Sequence, residues 1–158
     1  MTIHFGYEKK QVLQALRYHF ITRPEIKVLL IVVNVFTIIS AVLLYLHRIQ
    51  PISFLVFSVL WFLLIISVWK ILPASIYRRN QTFRDEFSMN LDDREVVLAT
   101  HRGQHAWQWQ DFSSFVESPY FFHLYFNSRS FFLVPKDAFR GIPELQEARQ
   151  LLRDKIRK

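Results

Sequence analysis

Two long stretches of the chain carry no polar period at all. From Val28 to Leu46 it reads VLLIVVNVFTIISAVLLYL, nineteen residues without a charge, and from Ile52 to Trp69 it reads ISFLVFSVLWFLLIISVW, eighteen more. As helices these runs are roughly 27–29 Å long, close to the ~30 Å hydrocarbon thickness of a bilayer. A surface helix of a globular domain keeps one polar face, these have none, and a buried globular helix seldom needs so long an all-round apolar surface. Only His47, Arg48, Ile49, Gln50 and Pro51 separate them, so the pattern predicts a transmembrane helical hairpin. Pro24 and Pro51 stand where a first helical turn tolerates proline, because the N–H there has no intrahelical partner in any case. The first run is longer than the apolar core of a cleaved signal peptide. Within the spans, Thr37, Ser40, Ser58 and Ser67 are expected to bond their own helix backbone. Asn34 is expected to bond across the hairpin.

Outside the hairpin the pattern changes. Thr2–Phe5 reads as a short strand, and Tyr7–Phe20 as a helix with Val12, Leu13, Leu16 and Phe20 on one side. After Pro73 a helix is expected to continue over Ala74–Asp85. Then a period of two takes over: Phe87, Met89 and Leu91 alternate with polar neighbours, and Val96 and Leu98 follow beyond a turn at Asp92-Asp93. Strands are predicted near 104–107, 114–117, 120–126 and 129–134. A closing helix runs from Pro143 to about Ile156, with Leu145, Ala148, Leu152 and Ile156 as its apolar stripe. A lone strand is not stable. Thr2–Phe5 is therefore expected to join the C-terminal sheet, making the hairpin an insertion into one folded domain. The expected fold is an α+β membrane protein: a hairpin inserted into a small cytoplasmic antiparallel β-barrel or sheet, capped by a C-terminal helix. Its segments are 1–25 (strand and amphipathic helix), 26–72 (hairpin) and 73–158 (β-rich domain).

Charge sharpens this picture. The net charge of the 158 residues is +7. Residues 1–84 hold ten Lys/Arg against two acids, a net of +8, whereas residues 85–158 hold ten against eleven, a net of −1. The excess surrounds the apolar runs, as at a membrane surface, and not the folded domain, as a nucleic-acid binder requires. Near the span ends, Arg17, Arg23, Lys27, Lys70, Arg78, Arg79 and Arg84 lie on the terminal side and only Arg48 on the loop side. That bias places both termini in the cytoplasm. Arg17, Arg23, Lys27, Lys70, Arg78 and Arg79 are the expected membrane-surface contacts.

Catalytic chemistry is poorly served. There is no cysteine. His101 and His105 are four apart but straddle a turn without an H-E-x-x-H setting. Asp92, Asp93 and Glu95 read as solvated turn acids, and three scattered glycines build no phosphate loop. His123 reads as a satisfied or partly exposed strand histidine. Trp107, Trp109, Tyr120, Phe121 and Tyr125 could form an aromatic interaction patch. No cofactor, metal or small-molecule substrate is implied.

The Trp109-Gln110-Asp111-Phe112 step, the strand Tyr120–Phe126, and the run Phe131-Phe132-Leu133-Val134-Pro135-Lys136 followed by Phe139 resemble the YcxB-like family of bacterial membrane proteins. The order of segments extends that resemblance over most of the chain. It implies a two-span protein of the bacterial inner membrane with a pleckstrin-homology-like C-terminal domain. It implies no established activity and carries over no catalytic residue. The expected role is a non-enzymatic module binding a protein partner, the membrane surface or another copy of itself. The competing expectation is an accessory or immunity-type subunit that acts on another membrane protein through the hairpin.

Overall fold

The computed structural model describes residues 1–156. Its elements are β1 (Thr2–Phe5), α1 (Lys9–Thr22), α2 (Pro24–Tyr45), α3 (Pro51–Ile66), a π-helical turn (Ser67–Ile71) and α4 (Leu72–Arg79). After a 3₁₀ turn (Gln81–Arg84) come β2 (Phe87–Leu91), β3 (Glu95–Thr100), β4 (Gly103–Gln108), β5 (Ser114–Glu117), β6 (Phe121–Tyr125), β7 (Phe131–Pro135) and α5 (Ile142–Lys155). The chain divides into two compact units. One is Leu16–Asn80, and the other joins Met1–Ala15 to the chain from Gln81 onward.

The discontinuous unit holds seven strands in two antiparallel sheets, ordered β1-β2-β3-β4 and β5-β6-β7. β1 pairs with β2 in the register Ile3↔Met89 and Phe5↔Phe87, so the N-terminal strand does complete a sheet formed after the hairpin. Ile3, Phe5, Phe87, Met89, Leu91, Val96 and Leu98 all point to one face. They share a core with Phe122, Leu124, Phe132 and Val134 of the second sheet and with Ala148, Leu152 and Ile156 of the α5 region. Alternation along each strand produces this, since residues two apart share a face.

A closed barrel is not formed. Between β4 and β5 the chain makes a 3₁₀ turn at Trp109–Asp111. The Asp111 carboxylate accepts from Gln108 N at 2.9 Å and locks that turn. Trp109 and Phe112 drop into the core there, and the indole Nε1 donates to Asp92 O at 2.9 Å. The two strands diverge where a barrel would need them paired, leaving two open sheets over one core.

β6 is the middle strand of its sheet, and Phe121, Phe122, His123 and Leu124 are all buried. One face meets the shared core. The other gathers Tyr7, whose hydroxyl donates to Leu133 O at 2.6 Å and whose ring lies 6.3 Å from Phe121. Tyr7 precedes the helix that was expected to include it, and burial raises its phenol well above the ordinary range.

The other unit contains α2 and α3, and both helices are long and apolar enough to cross a membrane. Neither has a buried residue. Pro24 and Pro51 occupy the first turns, as the sequence suggests. Thr37 and Ser58 donate to the carbonyls four residues back, at 2.9 Å each. Asn34 does the same, reaching Leu30 O at 2.7 Å and not the partner helix. An amide four residues past a free lone pair finds it without crossing anything. Trp61 lines a cleft of about 310 Å³ between the two helices, together with Phe36, Thr37 and Phe57.

Candidate functional site

The feature that organises the second unit begins with a proline. In an α-helix the N–H of residue 73 would bond the carbonyl of Trp69, but Pro73 has no N–H and its ring crowds that carbonyl. The chain answers by widening one turn: Ser67–Ile71 is π-helical, with Leu72 N donating to Ser67 O. The released Trp69 carbonyl is taken up by Arg17 Nε at 3.0 Å. The same guanidinium lies 5.6 Å from the centre of the Trp69 ring. Arg17, expected only as a membrane-surface contact, therefore ties α1 to the end of the second apolar helix. Insertions of this kind sit preferentially at functional positions in helices.

From the widened turn onward, Lys70, Ala74 and Arg78 form one ridge of the helix and Ile71, Ser75 and Arg79 the next. The six line a recess of about 480 Å³. All three cations are exposed. Lys27 is exposed at the start of α2. Arg23, half-buried, precedes that helix and with burial holds the His19 imidazole down. His19 is buried, and desolvation first, then the Arg23 charge, lowers it from 6.5 to about 4. The structure thus assembles three of the six basic residues, Lys70, Arg78 and Arg79, around one recess and gives Arg17 and Arg23 separate roles.

The aromatic patch is dispersed. Phe121 and Trp109 belong to the interior, at 0% and 6% exposure, and cannot present a surface. The reason is local: Phe121 lies on a strand covered on both faces, and Trp109 is aimed inward by the 3₁₀ turn. Trp107 is half-buried against Phe126, Phe132 and Phe112, with ring centres 5.3–6.2 Å apart. Tyr125 is half-buried beside Phe131, and Tyr120 alone is exposed.

Sequence reasoning missed one charged cluster. Glu117 on β5 accepts from Arg149 Nε and Nη2 at 2.9 and 2.7 Å, and from Lys136 Nζ at 2.7 Å. The Arg149 hydrogen bond, supported by Lys136, lowers the carboxyl from 4.5 to about 2 against the opposing effect of burial. Only the resemblance marked Lys136, and nothing in the spacing linked Glu117 to Arg149 thirty-two residues on. His123 is fully buried, with Nε2 at 2.9 Å from Ser118 Oγ, which itself donates to Phe121 O. His101 stands on a turn and accepts from Arg102 Nε at 3.2 Å, while His105 packs edge-on to Trp107. Among the described residues no group of three or more His, Asp or Glu side chains could hold a metal ion. Asp93 pairs with Lys155 at 3.4 Å, and Asp92 caps its own turn through Asp93 N. A solvent-open recess of about 850 Å³ on the outer face of the first sheet includes His4, Arg84, Asp85 and His101, and its Asp85 is engaged by Arg102 at 3.2 Å.

Fold and site together define an α+β chain with two open sheets over one core and a pair of apolar helices of membrane-spanning length. Residues 102–152, about a third of the chain, match the family model described as YcxB-like protein. No curated protein and no solved structure shows a significant match to the chain. The match is narrower than the resemblance read from segment order, and it leaves out the apolar helices and β1. It contains every residue that carries that resemblance, and the structure explains them. Trp109, Phe112 and Phe139 are core, Phe122 stacks edge-on to Phe139 at 6.1 Å, and Lys136 holds Glu117. The segment is a packing signature.

Proposed function

We propose that this is a multi-pass protein of the bacterial inner membrane, with α2 and α3 crossing the bilayer and both chain ends in the cytoplasm. The discontinuous α+β unit is a non-enzymatic, pleckstrin-homology-like interaction module that binds a protein partner or another copy at the membrane surface. The observation that carries this reading is the pairing of β1 with β2. The chain leaves one folded unit, runs through two apolar helices and returns to the same sheet. Both ends of the hairpin then belong on one side of a bilayer, the side the Lys/Arg bias selects. The exposed apolar surface supports it further: Val28, Ile31, Phe36, Ile38, Phe57 and Phe62 are each more than half exposed. A contiguous surface of that extent is not stable against water. For the module, acids such as Glu117 and Asp85 are held in ion pairs, which favours a binding role over acid–base chemistry.

The chain has no native cysteine, so single cysteines report sidedness without background. A cysteine replacing Arg48 should react with a membrane-impermeant maleimide in spheroplasts, and one replacing Ser88 only after permeabilisation. The opposite pattern sinks the reading. Crosslinking in native membranes should then capture self-assembly or a stoichiometric partner through Tyr120 or the β4 edge. Loss of capture on deleting the hairpin but not the α+β unit would favour action through the helices.

A further inference from the structure

We infer that Lys70, Ser75, Arg78 and Arg79 form a binding site for the phosphate of an anionic phospholipid headgroup; the inference rests on the membrane reading above. Four observations carry it. First, these residues share one recess of about 480 Å³ that Ile71 and Ala74 also line, so charge and apolar surface adjoin in one place. Phospholipid has the same arrangement at the glycerol level, with phosphate above and acyl chain below. Second, the cations are unspent. Arg102, Lys136, Arg149 and Lys155 have acidic partners, but Lys70, Arg78 and Arg79 make no hydrogen bond or ion pair among the described residues. Third, Ser75 Oγ also makes no hydrogen bond among them, whereas Thr37 and Ser58 donate to their own helix. It is a neutral donor on the same ridge as Arg79, in the recess that Lys70 and Arg78 also line. Fourth, the recess follows directly on the eighteen-residue apolar run that ends at Trp69, which places it at headgroup depth when that run spans the bilayer.

The helix dipole alone accounts for less. Cations are favoured in the last turn of a helix, and Arg78 and Arg79 occupy that turn of α4. Lys70 precedes α4 altogether, in the widened turn. Two helical turns separate it from Arg78, roughly 12 Å along the axis. Generic attraction needs no such alignment, but a headgroup gripped from both ends of a recess does. Guanidinium groups suit phosphate through paired N–H donors, and the ammonium adds a point charge.

The test uses the purified full-length chain in a neutral detergent, titrated with phosphatidylglycerol, phosphatidylcholine or inorganic phosphate, with bound lipid counted by native mass spectrometry. Flotation with vesicles of the same lipids runs in parallel. The expected result is retention of phosphatidylglycerol over phosphatidylcholine. Combining Lys70→Gln, Arg78→Gln and Arg79→Gln should weaken that retention about 100-fold, from roughly a fivefold effect per cation. Ser75→Ala should cause a smaller loss. A control losing the same charge through Lys9→Gln, Lys10→Gln and Arg94→Gln should change it less than threefold. Unchanged thermal unfolding of the α+β unit shows that each variant is folded, and Arg78→Lys with Arg79→Lys should keep most of the binding. Equal losses in both triple variants, or no preference for phosphatidylglycerol, overturn the site while flotation leaves the membrane reading standing. Tight binding of inorganic phosphate alone overturns the lipid assignment. A chain that floats with no vesicle overturns the membrane reading and the site together.

Discussion

At the scale of single residues, two buried or half-buried titratable groups give each unit its own response to acid. Glu117 sits at about 2 in the fold against 4.5 when free, chiefly through the Arg149 hydrogen bond. A depressed carboxyl contributes stability that is complete above 4.5 and disappears as pH falls towards 2. Glu117→Gln should lower stability by about 1 kcal/mol at neutral pH, the scale of a partly exposed pair with good geometry. It should also flatten the unfolding midpoint between those pH values. A midpoint that still falls steeply there in the variant would assign the acid sensitivity elsewhere. His19 works higher on the scale. The fold keeps it neutral down to about 4 by burial and by the Arg23 charge, whereas the unfolded chain protonates it near 6.5. The unfolded state therefore binds more protons between those values, and stability falls as pH drops through them. Unfolding in detergent, followed from neutral pH to about pH 4, should lose this slope in His19→Gln. Neither group was legible as a site in the sequence. His19 takes its meaning from burial beside Phe20, and Glu117 from a partner on another element. The exposed cations were legible, because their placement follows hydropathy and needs no tertiary contact.

At the scale of elements, the widened turn before Pro73 couples two distant positions in a measurable way. Arg17 supplies the hydrogen bond that Pro73 withholds from Trp69 O. Arg17→Ala should therefore cost about 1.5–3 kcal/mol, the range for a bond from a charged donor. In a Pro73→Ala background the restored N–H competes for that carbonyl, so the same substitution should cost markedly less. A double-mutant cycle with zero coupling would show that the proline and the arginine act separately. The hairpin turn offers a simpler case. His47 holds φ at 54°, and Arg48 N and His47 N close back onto Leu43 O and Leu44 O. Glycine is the usual residue at that left-handed position. His47→Gly should stabilise the turn by about 1 kcal/mol, read as a raised unfolding midpoint. Most elements could be read from periodicity: the helix starts at Pro24 and Pro51, the alternation of β2 and β3, and the stripe of α5 all follow from side-chain spacing. Two features could not. β6 has no alternation because both of its faces are covered, and a buried run does not say which sheet it lies in. The break between β4 and β5 depends on an Asp111 side chain bonding three residues back, which strand patterning does not encode.

At the scale of the whole molecule, the decisive feature is that one folding unit is split by another. β1 gives the first sheet an outer strand and gives the core Ile3 and Phe5, at 2% and 8% exposure. Phe5 also meets the rings of Phe87 at 5.6 Å and Tyr7 at 5.7 Å, and Tyr7 in turn closes on Phe83 and Phe121. Removing a buried aliphatic or aromatic side chain costs about 2–5 kcal/mol. Losing Ile3, Phe5 and Tyr7 together approaches the whole stability of a small domain, about 5–15 kcal/mol. A polypeptide beginning at Gln81 keeps six strands and α5 but presents the edge of β2 unpaired, and an open edge is a template for aggregation. It should show no cooperative unfolding by near-ultraviolet circular dichroism. A synthetic peptide of residues 1–15 added in trans should restore a cooperative transition whose midpoint rises with peptide concentration, because a ligand of the folded state stabilises it by mass action. The same peptide carrying Ile3→Glu and Phe5→Glu should not. If the fragment from Gln81 unfolds cooperatively alone, with a midpoint the peptide leaves unmoved, β1 is an ornament on a finished domain. The apolar helices would then adjoin a finished fold and not interrupt one.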